Sequence, residues 1–568
     1  MMKKCTVLIV CMLLVFAAGN EASAKKTEVA VGAEPVIGCE DLIDFSYPNT
    51  MIDEATEGSD PAHCIVRGFM NQRISPVDEK TYQIKFEMRL PTDWKGRFFY
   101  QANGGVDGYV APAYGNILGG GPTSTGLDKG FAVISSDAGH PSRSADFGVD
   151  PQARLDYGYN AVAELTPMAK KLIKAYYGKR PDTSYIVGSS NGGRHAMVAA
   201  SRYTKLYDGF LAGAPGFNLP KAAVAQLWGV QQYATISDFG IDEKVCGPRV
   251  APLPSDRPDI TTSFSAEDTA LVSDYILDQC DLLDGAEDGW VGDPLSCQDL
   301  IHINEDIPTC ISPEDTDCLT YGQKSVLARV HAGATNSLGE ALYTNFLWDP
   351  GIVSSAWRTW KFCNSISNRD PVAVGYIFTT PPHYPLVLEA YGTSYYDYAL
   401  NWNGTGFDVD RDAPKIYDTD ETYTEAAMSF MTPPDLLMRQ LHAKKGKLIV
   451  VHGSADPVFS VADTVDWYNA LRAKYKKHTK KFARLFIVPG MSHSRGGPAC
   501  DQFDLVDALV DWVEKGIKPN AITATARADN GEAPWPGRTR PLCAYPTVPM
   551  YDGEGDVEDA SSFSCVIP

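Results

Sequence analysis

The pentapeptide Gly188-Ser189-Ser190-Asn191-Gly192 places a serine between two glycines, directly after an apolar run (Thr183–Val187) and ahead of an alanine-rich segment. This G-x-S-x-G spacing suits a sharp strand-to-helix turn that lifts one hydroxyl out of the fold as a nucleophile. A serine hydroxyl attacks a carbonyl only with a base beside it and a third group that orients the base. Two downstream segments offer them: His452-Gly453-Ser454-Ala455-Asp456-Pro457 carries Asp456, and Gly490-Met491-Ser492-His493 carries His493. The predicted chemistry is acyl transfer. Ser190 attacks, His493 takes the proton and later returns it, and Asp456 holds the imidazole tautomer. Two backbone N–H groups must receive the negative charge that builds on the carbonyl oxygen. Asn191, next to the nucleophile, supplies one, and Gly104 or Gly105, in a glycine-rich turn, supplies the other.

These residues need strands that end side by side. Tyr82–Leu90 alternates like an exposed strand, and Arg97–Gln101 is a second strand that runs into the Asn103-Gly104-Gly105 turn. Phe131–Ser135 and Thr183–Val187 are short apolar strands, and residues 151–177 read as a helix. After about residue 215 the rhythm lapses; it returns with the strand Lys447–His452, a helix over Ala462–Tyr475, the strand Ala483–Val488 and a helix over Val506–Lys515. Strands alternating with helices predict a mainly parallel sheet covered on both faces. The order serine, acid, histidine, with acid and base in loops after successive strands, is that of an α/β-hydrolase fold. The expected architecture is an α/β-hydrolase core built from residues 25–215 and 441–568, interrupted by a large inserted lid domain over 216–440. His452 reads as structural, whereas His140 and His195 are candidates for the pocket wall.

A second constellation lies in the insertion. Cys280–Pro294 (CDLLDGAEDGWVGDP) brings Asp281, Asp284 and Asp288 close together among glycines that permit a tight wrap. Hard oxygen donors of this kind suit Ca²⁺, with the carbonyls of Ala286 and Trp290 completing the shell, although the spacing is not that of an EF-hand. Such a site would be structural and would brace the insertion.

The first 24 residues have two lysines, an apolar run over Val7–Ala18 and a small-x-small site at Ala22-Ser23-Ala24. They read as a cleaved secretory signal, too short for a membrane anchor, so the protein is expected to be secreted or periplasmic. The net charge of −21 argues against nucleic-acid or anionic-membrane partners. Of thirteen cysteines, Cys5 and Cys11 lie in the leader. Export makes disulfides expected among the remainder. Short spacings suggest Cys280–Cys297, Cys310–Cys318 and Cys543–Cys565, while the pairing of Cys246, Cys363 and Cys500 stays open and the odd total leaves at least one thiol over.

Taken together, these segments resemble the tannase and feruloyl esterase family over about residues 39–565. The resemblance implies cleavage of esters of aromatic acids, such as galloyl or feruloyl esters, with no organic cofactor and a calcium-bearing lid. It places Ser190, Asp456 and His493 as the triad, Asn103–Gly108 (NGGVDG) as the oxyanion turn, and Asp281, Asp284, Ala286, Asp288 and Trp290 as calcium ligands. Cys280 and Cys297 match a typical family disulfide. One departure stands out: the family usually has a cysteine just before the serine and another just after the histidine, joined beneath the triad, and here those positions are Ser189 and Ser494. Two hydroxyls can hydrogen-bond instead. Competing readings are an exported hydrolase of non-aromatic esters or amides, and a non-catalytic binding protein on the same scaffold. Arg194, Arg358 and Arg369 are each candidates to meet a substrate carboxylate, and nothing in the sequence selects among them.

Overall fold

A computed structural model of the chain describes residues 29–116, 118, 124–240, 246, 255–312 and 314–568. The expected leader over 1–24 lies outside the described residues. The centre of the molecule is a nine-stranded sheet in the order β1-β2-β3-β5-β4-β6-β7-β8-β9. Its strands are β1 (Thr50–Gly58), β2 (His63–Ile74), β3 (Thr81–Pro91), β4 (Arg97–Ala102), β5 (Phe131–Ser136), β6 (Thr183–Ser189), β7 (Gly209–Gly213), β8 (Lys447–Gly453) and β9 (Ala483–Val488). Pairing is antiparallel from β1 to β5 and parallel from β5 through β9. The sheet is therefore mixed, and the chain has an α/β-hydrolase fold with helical segments inserted between β7 and β8.

The parallel strands are short apolar runs because both of their faces are covered. Alternate residues feed two separate cores: Phe98, Tyr100, Ile134 and Ile186 join one, and Phe99, Val133, Tyr185 and Val187 join the other. The first core takes the helix Ala161–Tyr177 and the second takes Leu505 and Leu509 of the helix Leu505–Val510.

Three strands escape the sequence reading. β1 and β2 form a long antiparallel hairpin at the sheet edge, and β7 (GFLAG) is only five residues long. β3 is not the exposed strand its alternation suggests. It lies between β2 and β5, and its last six residues are all buried. The misleading charges neutralise one another: Glu87 and Arg89 are 4% and 7% exposed and bond at 2.8 Å, and Arg67 of β2 bonds Glu87 at 2.8 Å from the other side. Residues 151–177 are helical, but a wide π turn over Asp156–Asn160 interrupts them. After β9 the chain adds two small hairpins, Ala521–Thr525 with Thr539–Cys543 and Val548–Tyr551 with Phe563–Val566.

The three disulfides expected from spacing are present, together with Cys39–Cys64 and Cys246–Cys363. Cys500 is the free thiol among the described residues, and it is buried. Cys246–Cys363 closes a loop of 117 residues within the insertion, and Cys543–Cys565 ties the two C-terminal hairpins together. Loop closure of this size removes much entropy from the unfolded chain. No helix of the described residues is long and apolar enough to cross a membrane.

Candidate active site

β6 ends at Ser189, and the helix Asn191–Arg202 begins two residues later. Between them Ser190 has φ +63° and ψ −125°, a conformation few non-glycine residues adopt. The flanking glycines make it possible. A Cβ on Gly188 would lie 2.6 Å from the Ala102 carbonyl oxygen, and one on Gly192 would lie 2.2 Å from the same atom. The elbow can therefore press against the end of β4 only if both residues are glycine.

His493 and Asp456 sit in the loops after β9 and β8, as expected from their order. His493 Nε2 is 2.8 Å from Ser190 Oγ, and His493 Nδ1 is 2.8 Å from Asp456 Oδ2. Trp360 and Phe459 meet the imidazole nearly edge-on, with ring centroids 5.1 and 5.4 Å away. Asp456 is fully engaged. Its Oδ1 accepts the N–H groups of Val458 (2.8 Å) and Phe459 (3.2 Å), and its Oδ2 also accepts from His452 Nε2 at 3.2 Å. Burial alone would raise this carboxyl, but His493 and His452 hold it well below the usual carboxylate range. His452 is thus more than a filler of the strand end. Its Nε2 also meets the Phe459 carbonyl at 3.0 Å, so Nε2 carries the proton and Nδ1 accepts from Thr464 Oγ1 at 2.8 Å.

The turn after β4 reaches the same place. Gly104 lies against Ser190, where a Cβ would be 3.7 Å from Ser190 Cβ, and Gly105 has φ +69°. Gly105, Ser190 and Asn191 line one pocket with Trp360, Arg369 and Asp370. Of the three candidate arginines, Arg194 is fully buried and donates to Asn191 Oδ1 and to the carbonyls of Tyr157 and Gly158. Arg358 donates to the Phe264 carbonyl at 2.7 Å. Arg369 is the one on the pocket wall, with its guanidinium over the Trp360 ring at 4.4 Å. His140 is not a pocket residue: it is buried, stacked on Phe147 and bonded through Nδ1 to the Ser142 carbonyl. His195 is also buried and turns toward Asp107.

Ser189 and Ser494 meet directly, with their hydroxyl oxygens 2.6 Å apart. This bond links the residue before Ser190 to the residue after His493 across 305 positions of sequence. Ser494 also has φ +69°, so the bond helps to hold an unfavourable backbone. Ser189→Ala is expected to cost about 1 kcal/mol of stability, the usual net worth of one hydrogen bond. Loosening the Ser190–His493 separation should lower kcat by less than about tenfold. Thermal unfolding and steady-state kinetics of Ser189→Ala and Ser494→Ala check both figures.

In the acidic loop, Asp281 accepts the N–H groups of Asp288, Gly289 and Trp290 at 3.2, 2.9 and 3.1 Å. Asp284 is fully buried, with Oδ1 accepting from Ala286 N–H at 3.1 Å. Asp288 is paired with Arg540. Asp284 Oδ2 and Asp288 Oδ1 are buried without a hydrogen-bond partner. A Cβ on Gly292 would fall 2.2 Å from Asp284 Oδ2, so the loop closes around that oxygen only because residue 292 is glycine. Among the described residues, no group of three His, Cys, Asp or Glu side chains converges at metal-binding geometry.

The sequence pattern of the tannase and feruloyl esterase family matches residues 64–566. This chain belongs to that family. It is a carboxylic ester hydrolase of the tannase and feruloyl esterase type. It is 35% identical to mono(2-hydroxyethyl) terephthalate hydrolase of Piscinibacter sakaiensis over 541 residues, covering 89% of this chain and 85% of that protein. Among solved structures, feruloyl esterase B from Aspergillus oryzae aligns with a TM-score of 0.71 at 21% identity, over 93% of this chain and 99% of that one. Tannin acyl hydrolase from Aspergillus niger aligns with a TM-score of 0.60 at 20% identity, over 91% and 92%. At these identities the two structures speak for the shared fold.

Sequence reasoning missed Asp107 and Tyr157 and undervalued His452. His452 lies four residues before Asp456 in a tight loop, a spacing that could have suggested contact. Asp107 stands inside the quoted NGGVDG turn, but its partners come from a distant helix.

Proposed function

We propose that Ser190, His493 and Asp456 hydrolyse esters of aromatic carboxylic acids through an acyl-enzyme on Ser190. The observation that carries this reading is the unbroken relay from Ser190 Oγ to Asp456 in a pocket walled by Trp360, Phe378 and Phe459. Aromatic walls favour a flat acyl group by burial and ring stacking. Ser190 Oγ attacks the ester carbonyl as its proton passes to His493 Nε2. The oxyanion is received by the N–H of Asn191 and by that of Gly104 or Gly105. His493 returns the proton to the departing alcohol. Water activated by the same nitrogen then releases the acid.

The relative from Piscinibacter sakaiensis acts, by its name, on a terephthalate monoester. Arg369 on the pocket wall suits an acyl ring that bears a carboxylate. The test is a hydrolysis panel on the mature protein with galloyl, feruloyl, hydroxybenzoyl, terephthaloyl and short aliphatic esters. Preference for aromatic acids is the expected result, and turnover confined to aliphatic esters would reject it. Arg369→Ala is expected to raise KM for the terephthalate monoester about tenfold or more, as loss of a charged hydrogen bond implies, and to leave its neutral benzoyl counterpart within about threefold.

The leader-like first 24 residues and the disulfides support export to the periplasm or the medium. Asp281, Asp284 and Asp288, with the carbonyls of Ala286 and Trp290, would hold Ca²⁺. Buried carboxylate oxygens without partners are what a hard cation satisfies. Its role would be structural. The Trp290 indole donates to the Pro489 carbonyl at 3.3 Å, so this loop packs on the turn that carries His493. Chelation is therefore expected to lower both Tm and activity together, with recovery on adding Ca²⁺ but not Mg²⁺. Calorimetry with and without chelator checks this.

A further inference from the structure

We infer that Asp107 is a positioning residue that locks the two halves of the oxyanion hole together, acting through the side chains of Asn191 and His195. The inference rests on the proposed esterase reading, because it concerns how that reaction's donors are held.

The two amide donors come from unrelated parts of the chain. One belongs to Asn191, at the start of the elbow helix. The other belongs to the Gly104–Gly105 turn, which has glycine's freedom and no strand or helix of its own. A donor that wanders by a few tenths of an ångström loses much of its advantage in the transition state. Something must fix one against the other.

Asp107 lies two residues beyond Gly105 and is 3% exposed. Its Oδ2 accepts from Asn191 Nδ2 at 2.8 Å and meets His195 Nε2 at 3.0 Å. Asn191 Oδ1 accepts from Arg194 Nε at 2.6 Å, so the Asn191 side chain is gripped at both ends. Arg194 Nη2 lies 3.3 and 3.1 Å from His195 Nδ1 and Nε2. Since Nε2 faces the Asp107 acceptor, it carries the proton, and the Arg194 nitrogen, close to both ring nitrogens, rests against the face of the imidazole. Burial and the Arg194 charge keep this imidazole neutral. Asp107 Oδ2 acts as an acceptor whether or not the carboxyl is ionised.

The ring closes on the other side. Arg194 donates to the Tyr157 and Gly158 carbonyls at 2.8 and 2.6 Å, and the Tyr157 hydroxyl donates to the Gly105 carbonyl at 3.2 Å. The π turn over Asp156–Asn160 makes this possible, because a widened turn frees carbonyls that a regular α-helix would use internally. The glycine turn is therefore held at Gly105 through Tyr157 and at Asp107 through Asn191 and His195. Both routes converge on Arg194, one turn into the elbow helix. Asn103 Nδ2 pins the turn's other end to Ser135 Oγ at 3.0 Å and to the Ser136 carbonyl at 2.9 Å. The Arg194 backbone N–H donates to the Ser190 carbonyl at 3.0 Å as part of the elbow helix, but the side chains of Asp107, His195 and Arg194 bond neither Ser190 nor His493, so their contribution is geometric.

The experiment compares wild type with Asp107→Ala, Asp107→Asn and Asn191→Ala on one aromatic ester, with an arylboronic acid as tetrahedral adduct and the product acid as ground-state ligand. Asp107→Ala is expected to lower kcat about 10- to 100-fold, a fraction of what losing a whole oxyanion donor costs, and to leave KM within about threefold. Arylboronate affinity should fall by the same factor as kcat, while product-acid affinity holds. Asp107→Asn keeps an oxygen acceptor and should recover most of kcat. Asn191→Ala keeps its backbone amide but cuts the side-chain link, and should reproduce the Asp107→Ala pattern; it serves as the deciding variant if Asp107→Ala does not fold. A kcat within twofold of wild type would overturn the inference. So would parallel losses in kcat, KM and product affinity, which mark a generally disturbed pocket. An inactive wild type would instead reject the esterase reading itself.

Discussion

Ser190→Ala is expected to lower kcat by about 10⁵- to 10⁶-fold, the usual cost of removing the nucleophile of a serine, histidine and acid set. Stability should change little. Ser190 is part-buried on the pocket lining, and its hydroxyl makes one hydrogen bond, to His493 Nε2 at 2.8 Å, whose loss costs about 1 kcal/mol. Alanine is also no worse than serine at φ +63°. Residual turnover should show no burst of alcohol release, because no acyl-enzyme forms. A rapid-mixing assay on an aryl ester checks this, and retention of more than about one part in a hundred of wild-type kcat would reject Ser190 as nucleophile.

Asp456→Asn is expected to cost about 10⁴ in kcat, as loss of the orienting acid does in related triads. The hydrogen bonds around Asp456 explain why an amide cannot replace it. Four donors converge on the carboxylate: two backbone N–H groups on Oδ1, and His493 and His452 on Oδ2. An asparagine must turn its own NH₂ group against one of these pairs. Facing the amides, it breaks the loop. Facing the histidines, it drives His493 toward the wrong tautomer. The variant should therefore lose stability as well as rate. Because the folded-state carboxyl is held well below its unfolded value, its stabilisation is complete above pH about 4 and is lost as pH falls through the folded value. The gap in Tm between wild type and Asp456→Asn should be constant above about pH 5 and shrink below about pH 4. Calorimetry across pH 3–8 reads this directly, and a gap that widens in acid would contradict the assignment.

Much of the site was visible before any coordinates because its local steps have local causes. The G-x-S-x-G turn needs glycines at fixed offsets. The acid and base must follow strands, and strands of a covered parallel sheet announce themselves as apolar runs. Close cysteine spacings likewise made three of the disulfides legible. Where several long-range arrangements satisfied the same local pattern, the sequence was silent. β3 alternates like an exposed strand, yet lies inside the sheet because Glu54, Arg67, Glu87 and Arg89 neutralise one another across β1, β2 and β3. The helix expected over 151–177 has a wide turn at Asp156–Asn160 that serves a distant arginine.

By itself, the order of residues determined the elbow, the identities of Ser190, Asp456 and His493 as candidates, and the α/β rhythm that places them after successive strands. Tertiary structure alone decided which arginine reaches the pocket, that Ser189 and Ser494 meet, that His452 grips Asp456, and that Asp107 joins the glycine turn to the elbow helix. The difference is physical. Turn geometry and strand burial act over a few neighbouring residues and leave a periodic mark. A hydrogen bond between side chains 84 or 305 positions apart leaves none, because it depends on where the intervening chain folds back.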